Sequence, residues 1–295
     1  MTVVSSAAVF AAPVRAQDTL ADILLPGENW QLAAEGFKFT DGPAVDANGV
    51  LYFADVPNNK IFRLKADGQA ELFVANSDAV NGMAFGPDGR LYACQPDKKR
   101  IVAYDSHGHE REVFRGEFIP NDLIVRSDGS IYFTDSEKKT VWCISPSGEG
   151  RRADRGIGRP NGIALWPKQG TLVISDTLSA YLWTFRIDAE GGLVNKERFY
   201  EMETPADRAA SGADGMTADS QGRLYVATYL GIQVFDTQGR LTGVIGRPST
   251  AFMSNLKFAG PQLDTLYVTS TDKIYRRKLK ATGVRYFDPP AANAK

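Results

Sequence analysis

Six copies of one short unit constrain every fold open to this chain. Asp41-Gly42-Pro43-Ala44-Val45, Asn81-Gly82-Met83-Ala84-Phe85, Asn121-Asp122-Leu123-Ile124-Val125 and Asn161-Gly162-Ile163-Ala164 start 40 residues apart. Asp214-Gly215-Met216-Thr217-Ala218 begins 53 residues after the fourth copy, and the degenerate Ser254-Asn255-Leu256-Lys257-Phe258 begins 40 after that. Self-similarity at such a period marks a repeat architecture, in which each copy is one supersecondary unit.

Each unit carries the same signals in the same order. A short apolar run is followed by a tight turn (Ala47-Asn48-Gly49, Pro87-Asp88-Gly89, Ser127-Asp128-Gly129, Ser220-Gln221-Gly222) whose glycine supplies the positive φ of a hairpin. An alternating strand follows, as in Leu51-Tyr52-Phe53-Ala54 or Leu224-Tyr225-Val226-Ala227. A third comes next, as in Arg100-Ile101-Val102-Ala103-Tyr104. A weaker fourth is legible in three units, at Glu71-Leu72-Phe73-Val74, Glu112-Val113-Phe114 and Arg198-Phe199-Tyr200. No long stretch has helical periodicity. The expected fold is all-β: a six-bladed β-propeller with four-stranded antiparallel blades. Residues 30–34 precede the first blade and are expected to close the ring as the outer strand of blade six, paired near 273–276; residues 284–287 compete for that place. The 13 additional residues between blades four and five fall around 189–211 and end in a small, polar rim loop, where function often resides.

Expected organisation is a signal-like or disordered N-terminus over residues 1–17, one propeller over 18–288 and a flexible tail over 289–295. The first segment is apolar and small but has no Lys or Arg before Arg15, so it half meets the secretory pattern and leaves a periplasmic or secreted location and a cytoplasmic one both open. Cys94 and Cys143 lie within strand patterns and read as buried free thiols before a disulfide. A net charge of −1 provides no basic field for nucleic acid, and no apolar run is long enough for a membrane helix.

Six equivalent strand starts must converge on the axis of such a ring. They hold Asp41, Asn81, Asn121, Asn161, Asp214 and Ser254. Two carboxylates and three amides brought together make an oxygen-rich centre for a hard cation: calcium first, magnesium or manganese next. A turn role for Asn-Gly and Asp-Gly explains any one copy but not carboxylates in just two. His107 and His109 share one polar turn and do not form a zinc site. A second ring, Asp55, Gln95, Asp135, Asp176, Thr228 and Ser270, reads as strand-end polar residues ahead of supports for the first. The four tryptophans read as core. Phe118, Phe252 and Met253 precede ring positions and suit either an apolar mouth or core packing.

Arg159-Pro160-Asn161-Gly162 with Ser175-Asp176-Thr177, Pro120-Asn121-Asp122, and Ala213-Asp214-Gly215-Met216 resemble the motifs of the regucalcin and gluconolactonase family of calcium-dependent propellers, over about residues 30–280. The resemblance implies that Asn161 and Asp214 bind one divalent cation, that Asn121 is a nearby ligand or substrate contact, and that Asp214 is the candidate catalytic base. Asp41 completes the expected metal set, and Asn81 joins Asn121 as a substrate contact. Two departures stand out: Asp41-Gly42-Pro43 where the family usually has Glu-Gly-Pro, and Ile119 where its sugar-lactone members often have Arg. The expected activity is hydrolysis of a small-molecule lactone or ester, with a polarised carbonyl and carboxylate-assisted attack of water. Alternatives are phosphotriesterase-like hydrolysis, as in the related diisopropyl fluorophosphatase fold, and a non-catalytic calcium-stabilised binding propeller.

Overall fold

The computed structural model describes residues 17–65 and 68–288. The expectations for 1–16 and for the tail 289–295 lie outside the described residues. Between them stand six four-stranded antiparallel sheets. Blade one comprises Thr40–Val45, Leu51–Asp55, Lys60–Leu64 and Ala70–Val74. The innermost strands of blades two to six are Met83–Phe85, Leu123–Val125, Pro160–Leu165, Met216–Ala218 and Met253–Ala259. Each touches the next, and the last returns to the first, so the ring closes in chain order.

Closure takes the expected form. Gln31–Glu35 pairs antiparallel with Lys273–Lys278, in a register that sets Gln31 opposite Arg276 and Glu35 opposite Lys273. Residues 284–287 form no strand. Residues 279–288 instead run across the lower end of the channel, where the buried Tyr286 donates its hydroxyl to the Leu165 carbonyl at 2.6 Å and Gln169 Nε2 donates to the Tyr286 carbonyl at 2.9 Å.

Alternation explains the packing. Residues at every second position face the adjoining blade, so apolar clusters form between sheets. Ile124, Tyr132 and Val141 of blade three pack with Ile163, Leu172 and Ile174 of blade four, all 3% exposed or less. Phe118 is fully buried against Phe133 and Trp142 and Met253 is 3% exposed, so both are core; only Phe252 of the suggested apolar mouth is exposed. Cys94 and Cys143 are buried free thiols. His107 and His109 lie in the turn around Asp105, whose Oδ1 accepts both of their backbone N–H groups. The 13-residue excess is divided between a long outer strand, Leu193–Glu201, and the loop 202–214, which is stitched to blade five through Gln233 and carries Arg208 over the Tyr229 ring at 4.1 Å.

The lower face is built from turns in which an Asp carboxylate caps the backbone two and four residues on. In blade five this turn also holds an ion pair: Arg223 Nε donates to Asp219 Oδ2 at 2.6 Å, with side chains 3% and 0% exposed, and Tyr225 donates its hydroxyl to the same oxygen. Removing one partner strands a buried charge. Arg223→Ala is therefore expected to cost about 3–5 kcal/mol in denaturant unfolding, while Asp219→Leu/Arg223→Met together cost much less. Equal losses in the single and double variants would refute this account.

Candidate active site

The upper mouth of the channel is made by the starts of the six inner strands. Asn81, Asn121, Asn161 and Asp214 are half-buried there, and Asp41 is 9% exposed. Ser254 departs from the set. It is fully buried and donates its hydroxyl to the Thr40 carbonyl at 2.8 Å, a link between blades six and one. Asn161 donates from Nδ2 to Thr177 Oγ1 at 3.3 Å, which leaves its amide oxygen for a ligand. Thr177 in turn donates to the Ala213 carbonyl at 2.8 Å, tying blade four to the entry of Asp214.

The next residue of each copy lies on the axis too: Gly42, Gly82, Asp122, Gly162, Gly215 and Asn255. Neighbouring strand starts meet so closely that Gly82 N–H donates to the Asn121 carbonyl and Gly215 N–H to the Ser254 carbonyl, each at 2.8 Å. A methyl group on Gly215 would lie 2.0 Å from the Asn255 amide, and one on Gly82 would lie 2.4 Å from Asp122 Oδ1. These glycines make room at the axis; only Gly42 among the four has positive φ. The space admits the two exceptions, which come from opposite blades. Asn255 Nδ2 donates to Asp122 Oδ2 at 3.3 Å, across the channel. Two residues further down the inner strand of blade six, Lys257 places its ammonium in the channel, 5.6 Å from the Tyr286 ring centre.

Sequence reasoning missed Asp122, Asn255 and Lys257. Their signal was present as the breaks in a column of glycines, but glycine after Asn or Asp was read as turn chemistry.

Electrostatics bind the group together. Burial, reinforced by Asp122, pushes Asp41 up to about 7. Burial pushes Asp122 up to about 6 against the opposing pull of Lys257. Burial, then Asp41 and Asp122, drives Asp214 well above the ordinary carboxylate range, partly offset by Arg159. Burial lowers Lys257, and Asp122 counters it. Carboxylates whose charges oppose one another, as Asp41 and Asp122 oppose that of Asp214, favour either protons or a cation. Among the described residues no three His, Cys, Asp or Glu side chains cluster as a ligand set. A hard cation at this mouth therefore needs the amides, and Asp41, Asp214, Asn121 and Asn161 supply two carboxylates and two amide oxygens, a donor set that fits calcium or magnesium.

The second ring supports the first. Asp55 accepts from the backbone N–H of Lys38 and Phe39, Asp135 from that of Ile119, and Asp176 from those of Gly158 and Arg159. Each strand-end carboxylate thus clamps the loop entering its own blade's inner strand.

Fold and site together define a six-bladed propeller with a buried carboxylate–amide centre at one mouth of its channel. The chain belongs to the SMP-30/Gluconolactonase/LRE-like family, whose region it matches over residues 39–272. It is 29% identical to a gluconolactonase of Zymomonas mobilis, over 90% of this chain and 85% of that one. Its structure matches the gluconolactonase of Xanthomonas campestris with a TM-score of 0.78 at 26% identity, covering 89% and 94% of the two chains. The calcium-binding protein regucalcin of Agrobacterium tumefaciens shares the fold, with a TM-score of 0.74 at 18% identity and coverage of 88% and 97%. Among the described residues no helix is long and apolar enough to cross a membrane.

Proposed function

We propose that this protein is a metal-dependent lactonase, opening a small-molecule lactone by hydrolysis at the upper mouth of its channel. The observation that carries the reading is the set of buried Asp41 and Asp122 and half-buried Asp214, gathered beside half-buried amides, in a chain related to gluconolactonases. A divalent cation, calcium by preference, would be held by Asp41, Asn161 and Asp214 with Asn121 beside them, and when bound supplies Lewis-acid polarisation of the lactone carbonyl. The remaining work belongs to the chain. Asn81 and Asn121 orient the ring oxygens by hydrogen bonding. Asp214, whose proton affinity burial and the neighbouring Asp41 and Asp122 raise, takes a proton from water as the water oxygen bonds to the carbonyl carbon. The acyl carbon–ring oxygen bond then breaks, the ring oxygen receives a proton, and a hydroxy acid leaves. Asp122 and Lys257 sit below, where the charge of Lys257 favours the Asp122 carboxylate.

A panel of aldonolactones assayed with calcium, magnesium, manganese or chelator tests the reading. Turnover that depends on added cation supports it; full activity in chelator, or no lactone opened under any condition, overturns it. Asp41 offers a finer prediction. Loss of its charge in Asp41→Asn is expected to weaken calcium binding at least tenfold by calorimetric titration, while Asp41→Glu retains it. Unchanged affinity in Asp41→Asn would make Asp41 a turn residue.

A further inference from the structure

The repeat creates a further ring, two residues ahead of the first: Phe39, Ala79, Ile119, Arg159, Gly212 and Phe252. In three blades the equivalence is atomic. The N–H groups of Phe39, Ile119 and Arg159 donate to Asp55, Asp135 and Asp176 at 3.3, 3.0 and 2.9 Å. Arg159 is the single charged member of this rim. It is exposed, and among the described residues its guanidinium enters no hydrogen bond or ion pair, although it lies near enough to act on Asp214. Blade four stands across the ring from blade one, where Phe39 stacks on Phe252 with ring centres 6.4 Å apart and planes at 19°. Phe252 is 41% exposed. The mouth therefore sets an apolar wall against an unpartnered guanidinium, with the carboxylate–amide centre between them.

We propose that Arg159 determines specificity at this mouth and that the preferred substrate is a lactone carrying a carboxylate outside its ring. The guanidinium fork matches a carboxylate with two parallel N–H···O bonds. The exposed face of Phe252 suits the C–H face of the lactone ring. A neutral polyhydroxy lactone needs no cation here, because Asn81 and Asn121 already offer neutral partners. An anionic one would meet Asp41, Asp122 and Asp214, and Arg159 is the rim group that offsets their repulsion. The reaction part of this inference rests on the lactonase reading; the anion-binding part does not.

The test compares D-glucaro-1,4-lactone, which carries the carboxylate, with D-glucono-1,5-lactone, which does not, in wild type, Arg159→Gln and Arg159→Lys with calcium present. Arg159→Gln is expected to raise KM for the first at least tenfold more than KM for the second, with Arg159→Lys between. Binding of the dianion D-glucarate, followed by calorimetry without turnover, is expected to weaken in parallel. Equal losses on both lactones, accompanied by a shifted pH profile, would show that Arg159 serves Asp214 and would overturn the proposal. So would unchanged kinetics in Arg159→Gln. If wild type does not open the glucarolactone, the substrate assignment falls, and the lactonase reading falls with it only if no lactone of the panel is opened. Glucarate binding then decides the anion site by itself: loss in Arg159→Gln upholds it, and no binding or no loss refutes it.

Discussion

Asp214→Asn is expected to lower kcat/KM for lactone hydrolysis by about 10²–10⁴-fold, the range contributed by a positioned general base. The amide keeps the shape and an oxygen but cannot accept a proton from water. The same substitution is expected to raise the Tm of the protein in chelator. Wild-type Asp214 is a carboxylate packed beside Asp41 and Asp122, and desolvation and repulsion both oppose its charge. Replacing it removes a cost of folding, so the variant trades activity for stability. Calorimetry in chelator and steady-state kinetics with calcium read the two effects on one preparation. A variant that retains more than about a tenth of wild-type kcat/KM would exclude Asp214 as the base. A lower Tm in chelator would show that its carboxylate is held by favourable contacts.

The second large effect concerns pH. Asp41 and Asp122 rise from an ordinary 3.8 to about 7 and about 6, both through burial first. A group raised in the folded state stabilises it fully below the unfolded value and loses that contribution as pH climbs through the folded value. The protein in chelator is therefore expected to be more stable near pH 5 than near pH 8, with the loss running from just above the unfolded value of 3.8 up through the folded values of about 6 and about 7. Calcium competes with protons for the same oxygens. Its stabilising increment should grow over this interval, reaching about 2.7 kcal/mol when the free ion is a hundredfold above its dissociation constant. Burial shifts Lys257 downward from 10.5, with Asp122 opposing the shift. Thermal melts from pH 5 to 8 with chelator or calcium measure both trends. A chelated Tm that rises with pH, or a calcium increment that ignores it, would contradict a cation site built on these carboxylates.

The propeller was legible because its inner strands alternate and its period is held across most of the chain. What escaped was the outer edge. Gly150–Arg155 and Leu241–Ile245 complete blades three and five, yet the first reads Gly-Arg-Arg-Ala-Asp-Arg and the second is interrupted by Thr and Gly. An outer strand packs little of its surface, so burial imposes no pattern on it, and backbone pairing with the third strand holds it in place. At the site, Asp41, Asn81, Asn121, Asn161 and Asp214 were legible as recurring polar residues at fixed spacing. Asp122 and Asn255 were not, because period-two alternation fails at the strand starts. Register shifts after Asp41, Pro160 and Met253 bring successive residues to the axis instead of sending them to opposite faces. Arg159 sat in a motif that drew attention to Asn161, and its significance depends on which blade faces which.

Among the described residues, the turns over 279–288 close the lower end of the channel and leave its upper mouth open. Tyr286 and Phe287 stopper the lower end, and the gap left beside them, near Ala44, Ile124 and Lys257, is about 20 Å³, space for a water molecule. On the lactonase proposal, incoming lactone, the water that attacks it and the outgoing hydroxy acid would all share the upper opening, past Arg159 and Phe252. Selection on the way in and release on the way out are thus assigned to the same few side chains.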